Sequence, residues 1–119
     1  MKIRSGFVSN SSSSSFLICG ISDIDSINSV LRKNDIINNE ISDIDSILYS
    51  FYLRQKIEDT LKLEIYRNDN GEVYIGKGIE LNSNTIKANE FKDLIFDVEN
   101  TLSGIDPNKI MVDYIEERY

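Results

Sequence analysis

The sequence predicts an α+β domain, in which a small, mainly antiparallel sheet of about four strands packs with three helices. Three observations carry this prediction. Two alternating segments flank an Asn-Asp-Asn-Gly turn, a seven-residue repeat resembles two helix starts, and residues 88–102 carry one apolar stripe at helical spacing. The chain has 119 residues, which fits a single domain. We take residues 16–119 as that domain and residues 1–15 as a serine-rich leader that is expected to be flexible.

The first element of the domain is expected to be a short buried strand. Phe16 to Gly20 forms an apolar run that ends at a glycine, which is typical of a strand covered on both faces. The run contains Cys19, the only cysteine of the chain, so no internal disulfide can form. We expect Cys19 to be a buried and inert thiol.

An exact repeat follows this strand. Residues 21–27 read Ile-Ser-Asp-Ile-Asp-Ser-Ile and recur as residues 41–47. In each copy a serine precedes an aspartate by three positions, which resembles a capping box and predicts a helix with Ser22 or Ser42 as its N-cap. The first helix is expected to end near Lys33 and the second near Asp59. The residues expected to be buried are Ile24, Ile27 and Leu31 in the first helix, and Ile44, Ile47, Leu48, Phe51 and Ile57 in the second.

The paired aspartates of the repeat also raise the possibility of a calcium site. An EF-hand loop needs an oxygen ligand at its fifth position and a glycine at its sixth. If Asp23 or Asp43 is taken as the first position of such a loop, the fifth position is Ile27 or Ile47, which offers no side-chain oxygen. Helix capping is therefore the preferred interpretation of these residues.

The segments on either side of the Asn-Asp-Asn-Gly turn predict a hairpin of two strands, Leu61 to Arg67 and Val73 to Leu81. A three-residue loop at residues 69–71 places Ile65 opposite Ile75 and Leu61 opposite Ile79, so that the apolar residues share one face. A two-residue loop would place Ile65 opposite a glycine. We therefore predict the three-residue loop, with Gly71 in the left-handed region.

Ala88 to Leu102 is predicted to form a helix, because its apolar residues share one face and a glycine follows. Residues 108–118 fit two structures. Apolar residues alternate there as in a strand, whereas Asp106-Pro107 could open a helix. We favour a strand from about Lys109 to Glu116, because β-branched and aromatic residues dominate and a lone hairpin needs companion strands.

The residues needed for common catalytic chemistry are few. The chain has no histidine, which excludes Ser-His and Cys-His systems and most zinc sites. Gly76-Lys77-Gly78 lacks the spacing of a phosphate-binding loop. Carboxylates are abundant, but none stands in an apolar setting that would mark an acid–base residue. We therefore expect a protein that is not an enzyme and uses no cofactor or metal ion.

The charge of the chain favours a protein partner with a basic surface. The net charge is −7, and from Ile21 onward 11 basic and 20 acidic residues give −9. Nucleic-acid phosphates and anionic lipids repel such a body. No stretch approaches the ~18 apolar residues of a membrane span, and serines stand where a signal peptide has its apolar region. We expect a cytoplasmic protein that binds neither nucleic acid directly nor a membrane.

The candidate partner contacts are two tyrosines and two glutamates. Tyr66 and Tyr74 lie on the hairpin face opposite the isoleucines, and this face is either covered by other elements or forms a protein-contact patch. The tyrosines would anchor a partner if they are exposed. Glu116 and Glu117 near the C-terminus are candidate electrostatic contacts.

The leader carries a distinctive pattern. Residues 4–10 read Arg-Ser-Gly-Phe-Val-Ser-Asn, and five serines and the apolar run of the first strand follow them. This segment resembles the leader of small uncharacterised proteins from bacteriophages and their low-GC bacterial hosts. Three interpretations remain open: a recognised or phosphorylated tag, a flexible tether, or a part of the fold in which the serines form a turn. The residues that would be recognised in a tag are Arg4, Gly6, Phe7, Ser11, Ser12, Ser13, Ser14 and Ser15.

The resemblance of the leader, the small size, the acidic body and the missing catalytic residues together predict a binding protein encoded by a phage or a related mobile element. Such a protein would occupy a basic surface on a host protein, for example one of a defence system, and inhibit it. The alternative is a virion or structural component, for which the leader would be an address signal.

Overall fold

The computed structural model describes residues 15–81, 85–115 and 117–118, the last two by their backbone alone. The elements in chain order are β1 (Ser15–Ile21), α1 (Ile24–Lys33), α2 (Asp45–Leu48), α3 (Phe51–Leu61), β2 (Glu64–Arg67), β3 (Val73–Leu81), α4 (Ala88–Thr101), a 3-10 turn (Pro107–Lys109), β4 (Met111–Ile115) and β5 (Glu117–Arg118).

The strands form one sheet in the order β4-β1-β3-β2-β5, and each neighbouring pair is antiparallel. This arrangement confirms the predicted α+β fold with a mainly antiparallel sheet. The C-terminal segment is a strand, as we favoured, and the alternative of a C-terminal helix is wrong. Asp106 opens only the 3-10 turn, where its carboxylate accepts a hydrogen bond from the Asn108 N–H at 2.9 Å.

The β2-β3 hairpin has the predicted loop. Ile65 lies opposite Ile75, and Asn68 N–H donates to the Glu72 carbonyl oxygen at 3.0 Å, which leaves three residues in the loop. Gly71 has a φ of +83°, in the left-handed region. The predicted pairing of Leu61 with Ile79 is wrong, because Leu61 is the last residue of α3 and is buried there.

The two serines of the repeat do not cap helices, which corrects our prediction. Helix α1 ends at Lys33 as predicted, but its N-cap is Asp23, whose carboxylate accepts a hydrogen bond from Ser26 N–H at 3.0 Å. Aspartate is as favourable an N-cap as serine, so the cap lies one residue later than the pattern suggested. In the second copy, Asp43 accepts from Asp45 N–H at 3.0 Å, and α2 has no side-chain cap.

The predicted second helix is divided into α2 and α3. Between them, Ser50 adopts an extended conformation, with φ −108° and ψ 103°, and its hydroxyl accepts a hydrogen bond from Leu53 N–H at 3.1 Å. This new cap starts α3 with a different apolar stripe, which is formed by Leu53, Ile57 and Leu61. The predicted burial of Ile57 is confirmed, whereas that of Phe51 is wrong.

The helices cover one face of the sheet and form the main core with it. Helix α4 packs on β1 and β3, and α3 packs beside β2. Cys19 and Ile75 on the sheet meet apolar helix residues such as Leu31 and Val98, all of them buried. The helix predicted over residues 88–102 is confirmed as α4, which buries Leu94 and Val98.

The opposite face of the sheet is closed by the C-terminal segment. Strand β4 pairs with β1 and β5 pairs with β2, at opposite edges of the sheet, although a single residue separates these two strands. The sheet therefore curves so that β1 and β2 both pair with the same C-terminal segment, which contains β4 and β5. Ile18, Tyr66, Tyr74 and Ile115 form a second buried cluster on this concave face. Gly76 of β3 lies opposite Gly20 of β1, and a Cβ at Gly76 would collide with the Cys19 carbonyl oxygen.

Candidate protein-binding site

The two tyrosines considered as partner contacts lie in the second core. Tyr66 and Tyr74 are 1% and 4% exposed. The Tyr66 hydroxyl donates to Glu64 Oε2 at 2.9 Å, and the Tyr74 hydroxyl donates to Asp113 Oδ2 at 3.1 Å. Burial raises the pKa of Tyr74, and the nearby Asp113 carboxylate raises it further. The proposed anchoring role required exposure, so neither tyrosine can fill it in this structure.

The other predicted site residues lie at the two ends of the chain. Arg4, Gly6, Phe7, Ser11 to Ser14 and Glu116 fall outside the described residues. The backbone of Glu117 pairs with Arg67 at the edge of the sheet. Ser15 belongs to β1 rather than to the leader, since it is 1% exposed and its Oγ accepts a hydrogen bond from the Tyr114 hydroxyl at 3.0 Å.

The structure exposes a different set of aromatic side chains. Tyr49, Phe51 and Tyr52 are 83%, 71% and 64% exposed, and they stand within four positions of one another at the junction of α2 and α3. We call these three residues the aromatic knuckle. Large aromatic side chains bury much apolar area when they are covered, so a cluster of exposed ones marks an interaction surface.

The helix break at Ser50 explains why the knuckle is exposed. Ile47 and Leu48 of α2 turn inward and are buried, and Tyr49 follows them as the C-cap. Helix α3 then restarts with Leu53 on the core side, so its first-turn residues Phe51 and Tyr52 face solvent. The local backbone thus places both aromatic residues away from the core.

The segment of the chain that contains the knuckle is mainly acidic. Residues 40–59 carry five carboxylates and two cations, a net charge of −3. The Arg54 guanidinium carbon lies 5.9 Å from the centre of the Phe51 ring, and Lys56 Nζ lies 5.9 Å from the centre of the Tyr52 ring. Both cations thus lie within the range of cation–π attraction to rings of their own chain. The five exposed carboxylates are Glu40, Asp43, Asp45, Glu58 and Asp59.

Sequence reasoning missed the knuckle because it treated residues 42–59 as one helix. The stripe through Ile47, Leu48 and Phe51 would continue at Arg54 and Glu58, which are both charged. The loss of the stripe at these positions was the available signal that a new helix begins near Ser50.

The described residues offer neither a reactive thiol nor a metal-binding cluster. Cys19 is 1% exposed, and burial raises the pKa of its thiol to about 11, with a further contribution from Glu99. Within residues 15–81 and 85–115, no group of three or more acidic or cysteine side chains is placed to hold a metal ion. No helix of this part of the chain has the length and apolar character needed to cross a membrane.

No protein-family model matches the chain, and no curated protein or solved structure is significantly similar to it.

Proposed function

We propose that this protein is a small acidic binding protein that docks on a partner protein through the aromatic knuckle. The observation that carries the proposal is the exposure of Tyr49, Phe51 and Tyr52 at one helix junction. The partner offers an apolar pocket for these rings, and lysine and arginine side chains surround the pocket.

The knuckle supplies the apolar centre of such an interface. Binding energy at protein interfaces is concentrated in a few buried side chains, among which tyrosine is enriched. Tyrosine also suits this role because its ring is apolar and its hydroxyl can remain hydrogen-bonded at the rim. Ser50 caps α3 and Ile57 anchors that helix in the core, so the rings stand on an ordered scaffold.

The acidic surroundings determine the kind of partner. In this proposal the five exposed carboxylates of residues 40–59 supply a negative rim, although one of them, Glu40, is already paired with Arg32 at 3.2 Å. The two cations of the same segment lie beside the aromatic rings. A negative rim attracts a basic surface and speeds diffusional encounter. The chain as a whole carries −7, which adds to this attraction.

The resemblance of the leader to leaders of small phage proteins supports a partner in a bacterial host cell. We propose a host protein, such as a component of a defence system, whose basic surface the protein occupies and thereby inhibits. Many host proteins that handle nucleic acids carry such basic surfaces, and an acidic protein can compete for them without enzymatic activity.

The proposal is tested by comparing the full chain with a knuckle variant, Tyr49→Ser, Phe51→Ser and Tyr52→Ser, in capture from bacterial lysate followed by kinetics with the purified partner. We expect the variant to dissociate at least about tenfold faster, because it loses the apolar anchor. Association of the unaltered protein should slow as salt rises from about 50 to about 500 mM, because salt screens the rim charges.

Phe96→Ser provides the matched control. Phe96 is an exposed aromatic residue on α4, 64% exposed like Tyr52, but it lies outside the knuckle. This variant should bind as the unaltered protein does. A partner that binds the knuckle variant and the unaltered protein equally well would refute the proposed site, and association that ignores salt would refute the electrostatic part.

A further inference from the structure

Strand β3 extends beyond its neighbour β2. The pairing of β2 with β3 runs from Arg67 opposite Val73 to Glu64 opposite Gly76. Residues 77–81 of β3 continue to pair with β1 on the other side. Among the residues that the structure describes, no strand pairs with 77–81 on the β2 side, so β3 has an open edge there.

The hairpin register shows which backbone groups face this edge. Asn68 N–H donates to the Glu72 carbonyl oxygen at 3.0 Å, so Glu72 directs its backbone groups toward β2. Backbone direction alternates along an antiparallel strand, and residues at even positions of β3 therefore share the direction of Glu72. The N–H and C=O groups of Gly78 and Glu80 thus point to the open edge.

A groove of about 390 Å³ runs beside this edge. Gly78 and Ile79 of β3 and the buried Leu94 of α4 line it, which gives it an apolar floor next to the edge where no described strand pairs with β3. Its wall on the α4 side carries three carboxylates at helical spacing, i, i+3 and i+7, so they share one face: Glu90, Asp93 and Asp97.

The groove also contains two lysines. Lys77 Nζ lies 3.9 Å from Asp97 Oδ2, a long separation for an ion pair, and both groups are partly exposed. Lys62 also lines the groove. The carboxylates Glu90 and Asp93 form no ion pair with either lysine among the contacts within the described residues, so the negative charge of the wall is only partly balanced.

We propose that this groove binds an extended basic segment of a partner protein, which adds to the sheet as a strand along residues 77–81. The backbone of the segment would pair with Gly78 and Glu80, and alternate lysine or arginine side chains would lie against the α4 carboxylates. The open edge of β3 and the groove beside it show where the segment would bind, and the carboxylates of α4 indicate that the segment is basic. This surface is distinct from the aromatic knuckle.

The test uses the full chain, isotopically labelled, and a capped peptide of alternating lysine and valine about seven residues long. Nuclear magnetic resonance follows the backbone amides. When the peptide binds, we expect the largest changes in amide chemical shift at residues 77–81 and slower hydrogen exchange of the Gly78 and Glu80 amides. A peptide with glutamate in place of lysine should not bind. Shift changes centred elsewhere would overturn the proposal.

Two variants locate the interaction. Glu80→Pro removes an N–H that faces the open edge, where proline is tolerated in strands, and should weaken peptide binding by about tenfold. Glu80→Ala keeps this N–H and should bind within about twofold of the unaltered protein. If Glu80→Pro fails to fold, the double variant Glu90→Gln, Asp93→Asn serves instead. It leaves the sheet intact and should weaken binding by about tenfold at low salt.

The knuckle variant distinguishes the two proposed surfaces. It should bind the peptide as tightly as the unaltered protein, even if it has lost the partner captured through the knuckle. Loss of peptide binding in the knuckle variant together with full binding by Glu80→Pro would place the peptide on the knuckle and overturn the groove proposal.

Discussion

The side chain of Asn28 holds the start of the second repeat copy in a structure that differs from that of the first copy. The repeat begins at Ile21 in its first copy and at Ile41 in its second. Ile21 lies in β1, opposite Ile75. Ile41 pairs with no strand among the described residues. Instead the buried Asn28 bonds to its backbone: Asn28 Nδ2 donates to the Ile41 carbonyl oxygen and Asn28 Oδ1 accepts from the Ile41 N–H, both at 2.9 Å. One amide thus satisfies both backbone groups of a residue in the α1-α2 connection.

Cys19 gives a pH-dependent prediction at the same scale. Burial disfavours the thiolate and raises the pKa of Cys19 from its ordinary value of 9.0 to about 11 in the folded protein. The unfolded chain therefore loses its proton first, and stability falls as pH rises from about 9 to about 11. We expect Cys19 to contribute about 2 kcal/mol to this fall by pH 11. Cys19→Ala should remove that part of the fall.

The measurement is denaturant unfolding of both proteins at several pH values. All other titrating groups are common to the two proteins, so the difference between the two curves isolates Cys19. Parallel curves from pH 8 to pH 11 would show that the thiol ionises as freely in the folded protein as in the unfolded chain.

The N-caps give a prediction at the scale of the secondary-structure elements. Asp23 and Ser50 each accept a hydrogen bond from a backbone N–H in the first turn of a helix. We expect Asp23→Ala and Ser50→Ala each to lower the free energy of unfolding by about 1 kcal/mol. Ser22→Ala and Ser42→Ala are the matched controls and should each change it by less than about 0.5 kcal/mol.

These four variants separate the observed caps from those that the repeat pattern indicates. Chemical denaturation followed by circular dichroism measures all of them on one scale. A loss of about 1 kcal/mol in Ser22→Ala, with none in Asp23→Ala, would mean that α1 starts one residue earlier than the structure has it.

The elements that the sequence predicted well are those with strong local signals. Helix α4 has a continuous apolar stripe, and the hairpin has a turn whose loop length decides which residues share a face. The strand bounds of β3, Val73–Leu81, agree with the alternating pattern. In each case the residues that determine the element are neighbours in the chain.

The sequence did not predict the division into α2 and α3, because two local signals compete there. Serine is a weak helix former and a good N-cap, but its effect at Ser50 depends on whether Leu53 and Ile57 can reach the core. Only the packing of the whole molecule decides this. The exposed knuckle follows from that packing. Tyr66 and Tyr74 were the predicted contacts because they share the hairpin face opposite the isoleucines.

At the scale of the whole molecule, two apolar clusters share one sheet. The larger cluster lies between the helices and one face, and the smaller one lies on the concave face under the C-terminal segment. Successive residues of β1 alternate between them: Cys19 belongs to the first cluster and Ile18 to the second. Because both clusters pack on the same strands, disruption of the sheet under one cluster would also expose the other. We therefore expect the two clusters to unfold together.

Ile115→Ala tests this coupling, because Ile115 is 2% exposed and is contributed to the second cluster by β4. We expect a loss of about 2 to 5 kcal/mol, the usual cost of emptying a buried isoleucine site. Near-ultraviolet circular dichroism reports mainly on the buried Tyr66 and Tyr74, whereas the far-ultraviolet signal reports mainly on the helices across the sheet. Both signals should shift to the same lower midpoint.

Val98→Ala, which removes a buried contact of the first cluster, should likewise lower both midpoints together. A variant with Ile115→Ala that loses the tyrosine signal in a separate, earlier transition would show that the C-terminal segment opens on its own and that the two clusters are independent.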